Sequence, residues 1–118
     1  MKSILLITVS CIIFGTSISA YAGPPAARFS DRVICPVVEN FVPHVGGPIT
    51  DAVVFSVLIG GLPAARLGSL TVEVGPPATI VTGSNTVLIG GFPAARMGDL
   101  TSHGGVIIEG LPTVLIGG

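Results

Sequence analysis

The sequence predicts a small all-β domain in which three similar units close around a pseudo-threefold axis. Two repeated motifs support this fold class: Pro-Ala-Ala-Arg occurs at 25–28, 63–66 and 93–96, and Val-Leu-Ile-Gly-Gly occurs at 57–61, 87–91 and 114–118. The segments between them are rich in Val and Ile and are bounded by Gly and Pro, which interrupt any long helix. Because a repeated unit of this size buries its apolar face only against its copies, three units favour closure into a ring.

The N-terminal segment, residues 1–22, is predicted to be an export signal. Lys2 supplies a positive start, residues 4–14 form an apolar core, and Ala20-Tyr-Ala22 has the small-x-small pattern that a signal peptidase accepts. A retained hydrophobic anchor is the alternative, although the apolar run is shorter than the roughly 20 residues of a spanning helix. Cys11 hints at a lipoprotein site, but the segment before it is very short. The domain itself is predicted to span residues 23–118.

Each unit is predicted to follow the same order: Pro-Ala-Ala-Arg, a corner, a variable loop, a short strand, a turn and the Val-Leu-Ile strand. Residues 79–89 and 106–116 have the pattern of hairpins with turns at 83–85 and at Gly110, whereas residues 49–59 lack a glycine there. The paired alanines are small enough for a crowded axis. The equivalent arginines are expected either to bind backbone carbonyls or nearby acids, or to stay solvated: Arg28, Arg66 and Arg96, with Asp31 and Asp99 as acids.

Composition excludes several functional classes. Residues 23–118 contain four arginines, no lysine and six acidic residues, so no basic surface is available for nucleic acid. Aromatic residues are too sparse to stack on single strands. Cys35 is the only cysteine after the signal, so an internal disulfide is impossible. A domain this small usually needs stabilisation beyond its hydrophobic core. Without a disulfide, a metal ion, a partner protein or both are the remaining sources.

These motifs resemble the PAAR-repeat family, and the resemblance extends over residues 24–118. Besides the three tetrapeptides, it includes Ser30-Asp31, Cys35-Pro36, the run from Pro43 to Pro48 and the run from Gly98 to Gly105. The resemblance implies a small β-cone that caps the spike of a type VI secretion system. Its broad base would rest on a trimer of valine-glycine-repeat spike proteins, and its apex would hold one zinc ion. It implies no catalysis.

A zinc site is predicted from four residues in the variable loops: Cys35, His44, Glu73 and His103. The two histidines are the only ones in the chain, and each stands beside Gly-Gly between its Pro-Ala-Ala-Arg segment and the next strand. Nitrogen, sulfur and carboxylate donors suit tetrahedral zinc. Members of the resembled family usually carry histidine at the position of Val33 and cysteine at that of Glu73. The alternatives are a buried Cys35, a solvated Glu73 and a water-bridged pair of histidines.

The predicted function is therefore that of a structural tip, one copy per spike trimer, which touches the target membrane transiently and binds no small-molecule substrate. An enzyme is not expected, because the chain has too few polar groups for a metal, a general base and a substrate pocket together. The alternative is an exported metal-binding module, or an adaptor that couples a separate effector chain to a secretion apparatus. The signal predicts a periplasmic or secreted protein; a misassigned start codon would instead imply loading in the cytoplasm.

Overall fold

The computed structural model describes residues 22–36, 38–39, 41–43 and 45–118, and this part of the chain is all-β. None of the described residues forms a helix long and apolar enough to cross a membrane. The strands are short, as expected where Gly and Pro recur so often. They are β1 Pro25–Ala26, β2 Val33–Ile34, β3 Val38–Glu39, β4 Val42–Pro43, β5 Ile49–Asp51, β6 Val54–Ile59, β7 Leu62–Ala64, β8 Leu70–Thr71, β9 Ala78–Thr79, β10 Leu88–Ile89, β11 Phe92–Pro93, β12 Val106–Ile107 and β13 Leu111–Leu115.

The pseudo-threefold axis passes through a ring of three alanines, one from each Pro-Ala-Ala-Arg motif. The amide of Ala27 donates to the carbonyl of Ala95 at 3.0 Å, that of Ala95 to Ala65 at 3.1 Å, and that of Ala65 back to Ala27 at 3.0 Å. All three residues are completely buried. The ring confirms the predicted closure, and it explains the small side chains, because these backbones approach one another directly.

On one side of this ring, the three units form an apical ring of paired strands. Within the units, Arg32 pairs with Pro48, β8 with β9, and Leu100 with Val106. Neighbouring units are joined by β5 with β8, by Ile80 with Thr101, and by β12 with β2. Six segments are thereby linked in a closed circle, which removes the exposed strand edges that an open sheet would present.

On the other side of the alanines lie three basal hairpins, formed by β6 with β7, β10 with β11, and β13 with β1. The third hairpin joins the first and last strands of the domain. In each Val-Leu-Ile motif the isoleucine is buried, and the preceding leucine points into solvent. We call the exposed set the base leucines: Leu58 at 61% exposure, Leu88 at 64% and Leu115 at 46%.

The core forms two layers along the axis. The apical layer packs one large aliphatic residue from each unit around the alanine ring: Ile49, Ile80 and Ile107, with Val33 beside them. The basal layer packs the motif isoleucines around the other alanines of the tetrapeptides: Ile59, Ile89 and Ile116. Each unit thus contributes equivalent side chains to both layers, which is why one unit alone would leave its apolar face uncovered.

The predicted hairpins over 79–89 and 106–116 are wrong. Their two strands bind different partners, since β9 pairs with β8 while β10 pairs with β11. Gly83 does not form a hairpin turn there: a Cβ at this position would lie 2.8 Å from the carbonyl oxygen of Ala94. A Cβ added at Gly110 would lie at the same distance from the carbonyl oxygen of Ala26. Both glycines allow a close backbone approach as the chain passes from the apical ring to its basal hairpin.

Of the alternatives considered for the repeated arginines, binding to a nearby acid is found in two units. Asp99 accepts hydrogen bonds from the backbone amide of Arg96 at 2.7 Å and from its guanidinium at 3.1 and 3.3 Å. Arg28 and Asp31 form the same arrangement. In the middle unit Ser69 replaces the acid and accepts only from the amide of Arg66, at 3.0 Å. The Arg66 guanidinium instead donates to the Leu67 carbonyl and stacks over Phe92 at 4.0 Å.

Candidate metal centre

The loops at the far end of the apical ring bring together one potential ligand from each unit. The thiol of Cys35, a carboxylate oxygen of Glu73 and a ring nitrogen of His103 all lie within 4.8 Å of one another. Cys35 follows β2, Glu73 follows β8, and His103 follows the equivalent segment of the third unit. The pairing of the three units around the axis therefore places these side chains at one point, which we call the apex.

Glu73 is the central residue of the apex. Its side chain is completely buried, and its Oε2 lies 3.3 Å from Nδ1 of His103. The hydroxyl of Thr71 donates to the other carboxylate oxygen at 2.9 Å. Burying a carboxylate is costly unless a positive group or hydrogen-bond donors compensate it. A cation held between Glu73, His103 and Cys35 would supply that compensation.

The three donors suit the bonding preferences of zinc. Thiolate, imidazole and carboxylate are all common zinc ligands, and bond lengths of about 2.0–2.3 Å in a tetrahedron imply ligand separations of about 3.3–3.8 Å. The distance of 3.3 Å between His103 and Glu73 already falls in this range. The widest separation in the group is at most 4.8 Å and would need to shorten by no more than about 1 Å. These residues therefore fit a metal ion of this size and type.

Expectations from the sequence also concern Val33, which stands where relatives carry histidine, and His44, the fourth predicted ligand. Val33 is buried, Ile34 is exposed and Cys35 is half-buried, so Val33 and Cys35 share the inner face of their strand as the alternation predicts. Val33 itself packs in the apical core layer. His44, the fourth predicted ligand, lies outside the described residues. The described part of the chain thus brings together three of the four predicted site residues.

Thr71 is a site residue that the sequence analysis missed. Its hydroxyl orients the Glu73 carboxylate, and the bond forms because residues two apart on an extended strand face the same way. The spacing of two residues between Thr71 and Glu73 could have indicated this contact from the sequence. The equivalent position is valine in the first unit, Val33, and threonine in the third, Thr101, whose hydroxyl accepts from the Gly105 amide at 3.0 Å.

Comparison with family models identifies the architecture. The PAAR motif model matches residues 39–109, which is more than half of the chain and includes two of the predicted ligands in the described part, Glu73 and His103. The chain belongs to the PAAR motif family. Comparison with curated proteins found no match for this chain.

The family assignment agrees with the all-β fold and with the presence of a candidate metal-binding group. Members of the PAAR family bind a metal, and their known role is at the spike tip of type VI secretion systems. A role related to the spike tip, in association with a spike protein, follows for this chain. The described residues place the three candidate ligands together at the apex and leave the base leucines exposed.

Proposed function

We propose that this protein caps a trimeric valine-glycine-repeat spike protein, with one copy per trimer. The observation that carries the proposal is the arrangement of the base leucines, Leu58, Leu88 and Leu115, at equivalent positions around the pseudo-threefold axis. Exposed apolar residues with this symmetry match a threefold partner, since each leucine meets the same surface of a different protomer. A second copy on the same trimer end would find that surface already covered.

We further propose that zinc binds at the apex through Cys35, Glu73 and His103, with His44 as the fourth ligand. Zinc would bind three loops that belong to three different units. Because the free energy of metal binding is then added to that of folding, the apex becomes resistant to local unfolding. Such a property suits a tip that is driven against a membrane.

We propose a structural and not an enzymatic role. The side chains that might assemble a catalytic group near His103 have structural partners: Ser102 accepts a hydrogen bond from the Thr79 amide at 3.0 Å, and Asp99 is held by Arg96. A catalytic metal also needs an open coordination position, whereas four protein ligands would close the site. Export through removal of residues 1–22 stays a prediction from the sequence.

Stoichiometry tests the docking proposal. The full chain is mixed with the trimeric spike protein, and the mass of the complex is measured by native mass spectrometry or by light scattering coupled to size-exclusion chromatography. We expect one chain per trimer. Three chains per trimer, or no complex with a well-folded trimer, would refute the proposal.

Elemental analysis tests the metal proposal. We expect about one zinc ion per chain in the wild type, and a loss of zinc in His103→Ala with retention of the β-sheet circular dichroism spectrum. Ser102→Ala is the matched control, because it alters the adjacent residue without removing a donor of the cluster. A wild type that stays metal-free after incubation with zinc and shows the same spectrum would contradict the proposal.

A further inference from the structure

A groove lies beside the basal hairpin that joins the first and last strands of the domain. Its volume is about 530 Å³, within the usual range for small-ligand sites. Every residue that lines it is glycine or apolar; the larger ones are Pro24, Pro25, Met97, Ile107, Ile108 and Leu115. The groove therefore offers no charge or polar side chain to a ligand, and only an apolar occupant suits it.

The pseudo-threefold symmetry relates the groove to equivalent positions of the other hairpins. Pro25, Pro63 and Pro93 are equivalent, because each pairs with the base leucine of its hairpin. The residues that precede them are Pro24, Leu62 and Phe92. Leu62 and Phe92 are long apolar side chains, whereas Pro24, before the first tetrapeptide, has only the compact ring of proline.

The first residues of the predicted domain lie at this groove. Gly23 and Pro24 form part of the groove wall, and the apolar run of residues 4–14 ends nine residues before Gly23. Nine extended residues span about 30 Å, which is enough for that run to turn back along the domain. We propose that the groove is the binding site of residues 4–14 of the same chain, in molecules that retain the segment.

The proposed contact covers two apolar surfaces together. The groove includes Leu115, which is also a base leucine, so the bound segment shields one edge of the base as well as its own apolar side chains. Large exposed apolar patches promote association between molecules, and this contact would limit it before the segment is removed. The inference does not depend on spike docking, so its failure would leave the proposed function unaffected.

Photo-crosslinking tests the proposal. The chain contains two methionines, Met1 in the N-terminal segment and Met97 in the groove wall. The full chain is synthesised in a cell-free system with photo-methionine, its intact mass is verified, and tandem mass spectrometry localises the crosslinks after illumination. We expect links from Met97 to residues 4–14 within one molecule, scored in a mixture of light and heavy-isotope chains.

Two variants make the test specific. Pro24→Leu introduces the residue type that precedes the tetrapeptide of the middle unit, Leu62, and we expect it to abolish these links while the β-sheet spectrum is retained. Pro112→Leu, at an exposed position outside the groove, is the matched control and should keep them. Links restricted to Gly23–Pro25, links between light and heavy chains, or equal yields in Pro24→Leu and wild type would each overturn the proposal.

Discussion

Replacing Thr71 by valine should weaken metal binding at the apex while leaving the domain folded. Thr71 donates a 2.9 Å hydrogen bond to the buried carboxylate of Glu73. Valine already occupies the equivalent position of the first unit as Val33, so this ring of side chains accommodates the substitution sterically. The variant therefore removes the hydrogen bond to the carboxylate of a proposed metal ligand, together with a longer one, 3.4 Å, from the same hydroxyl to the Ala78 carbonyl.

The magnitude follows from the charge of the acceptor. A hydrogen bond to a charged group contributes about 1.5–3 kcal/mol, and about 1.4 kcal/mol corresponds to a tenfold change in affinity. The dissociation constant for zinc should therefore rise by about 10- to 100-fold, the range typical of residues that orient a metal ligand. The assay is competition for zinc with a chelating dye under reducing conditions, with the circular dichroism spectrum as a check on folding.

Thr101→Val is the matched control for this measurement. Thr101 has the same position in the third unit, but its hydroxyl accepts from the Gly105 amide at 3.0 Å. We expect that variant to lose some stability and to bind zinc within about threefold of the wild type, because the ligand carboxylate keeps its donor. Equal weakening in both variants, or an unchanged affinity in Thr71→Val, would refute the assigned role of Thr71.

Substitutions at two other positions test the Arg96–Asp99 ion pair and the base leucines. Asp99→Ala should destabilise the domain by about 3 kcal/mol, because it removes the acceptor for both the largely buried guanidinium and the backbone amide of Arg96. Asp99→Ser should cost about half as much, because Ser69 shows that a serine at this position still accepts the hydrogen bond from the amide. Urea denaturation at constant zinc measures both, and equal losses would contradict this account. Leu88→Glu should leave stability within about 0.5 kcal/mol, because the leucine is exposed, yet abolish binding to the spike trimer. A Leu88→Glu chain that binds the trimer as the wild type does would exclude this leucine from the docking surface.

The repeated tetrapeptide by itself determined the three units, their closure and the small residues on the axis. Repetition is informative because identical segments form identical local structure and can cover their apolar faces only with one another. The candidate ligands Cys35, Glu73 and His103 could also be named from the sequence, because one lies in the loop of each unit and closure of the units brings these loops together.

The tertiary structure alone decided which segments pair and which side chains face outward. Gly83 has the sequence signature of a turn. In the structure a glycine is needed there because a Cβ would lie too close to the carbonyl oxygen of Ala94, a residue of another segment. The sequence offered no means to separate the exposed Leu88 from the buried Ile89, because both are apolar and adjacent, and only the pairing with β11 assigns their faces. Hydrogen-bond partners and burial depend on residues that are distant in the chain, so they cannot be predicted from a local sequence pattern.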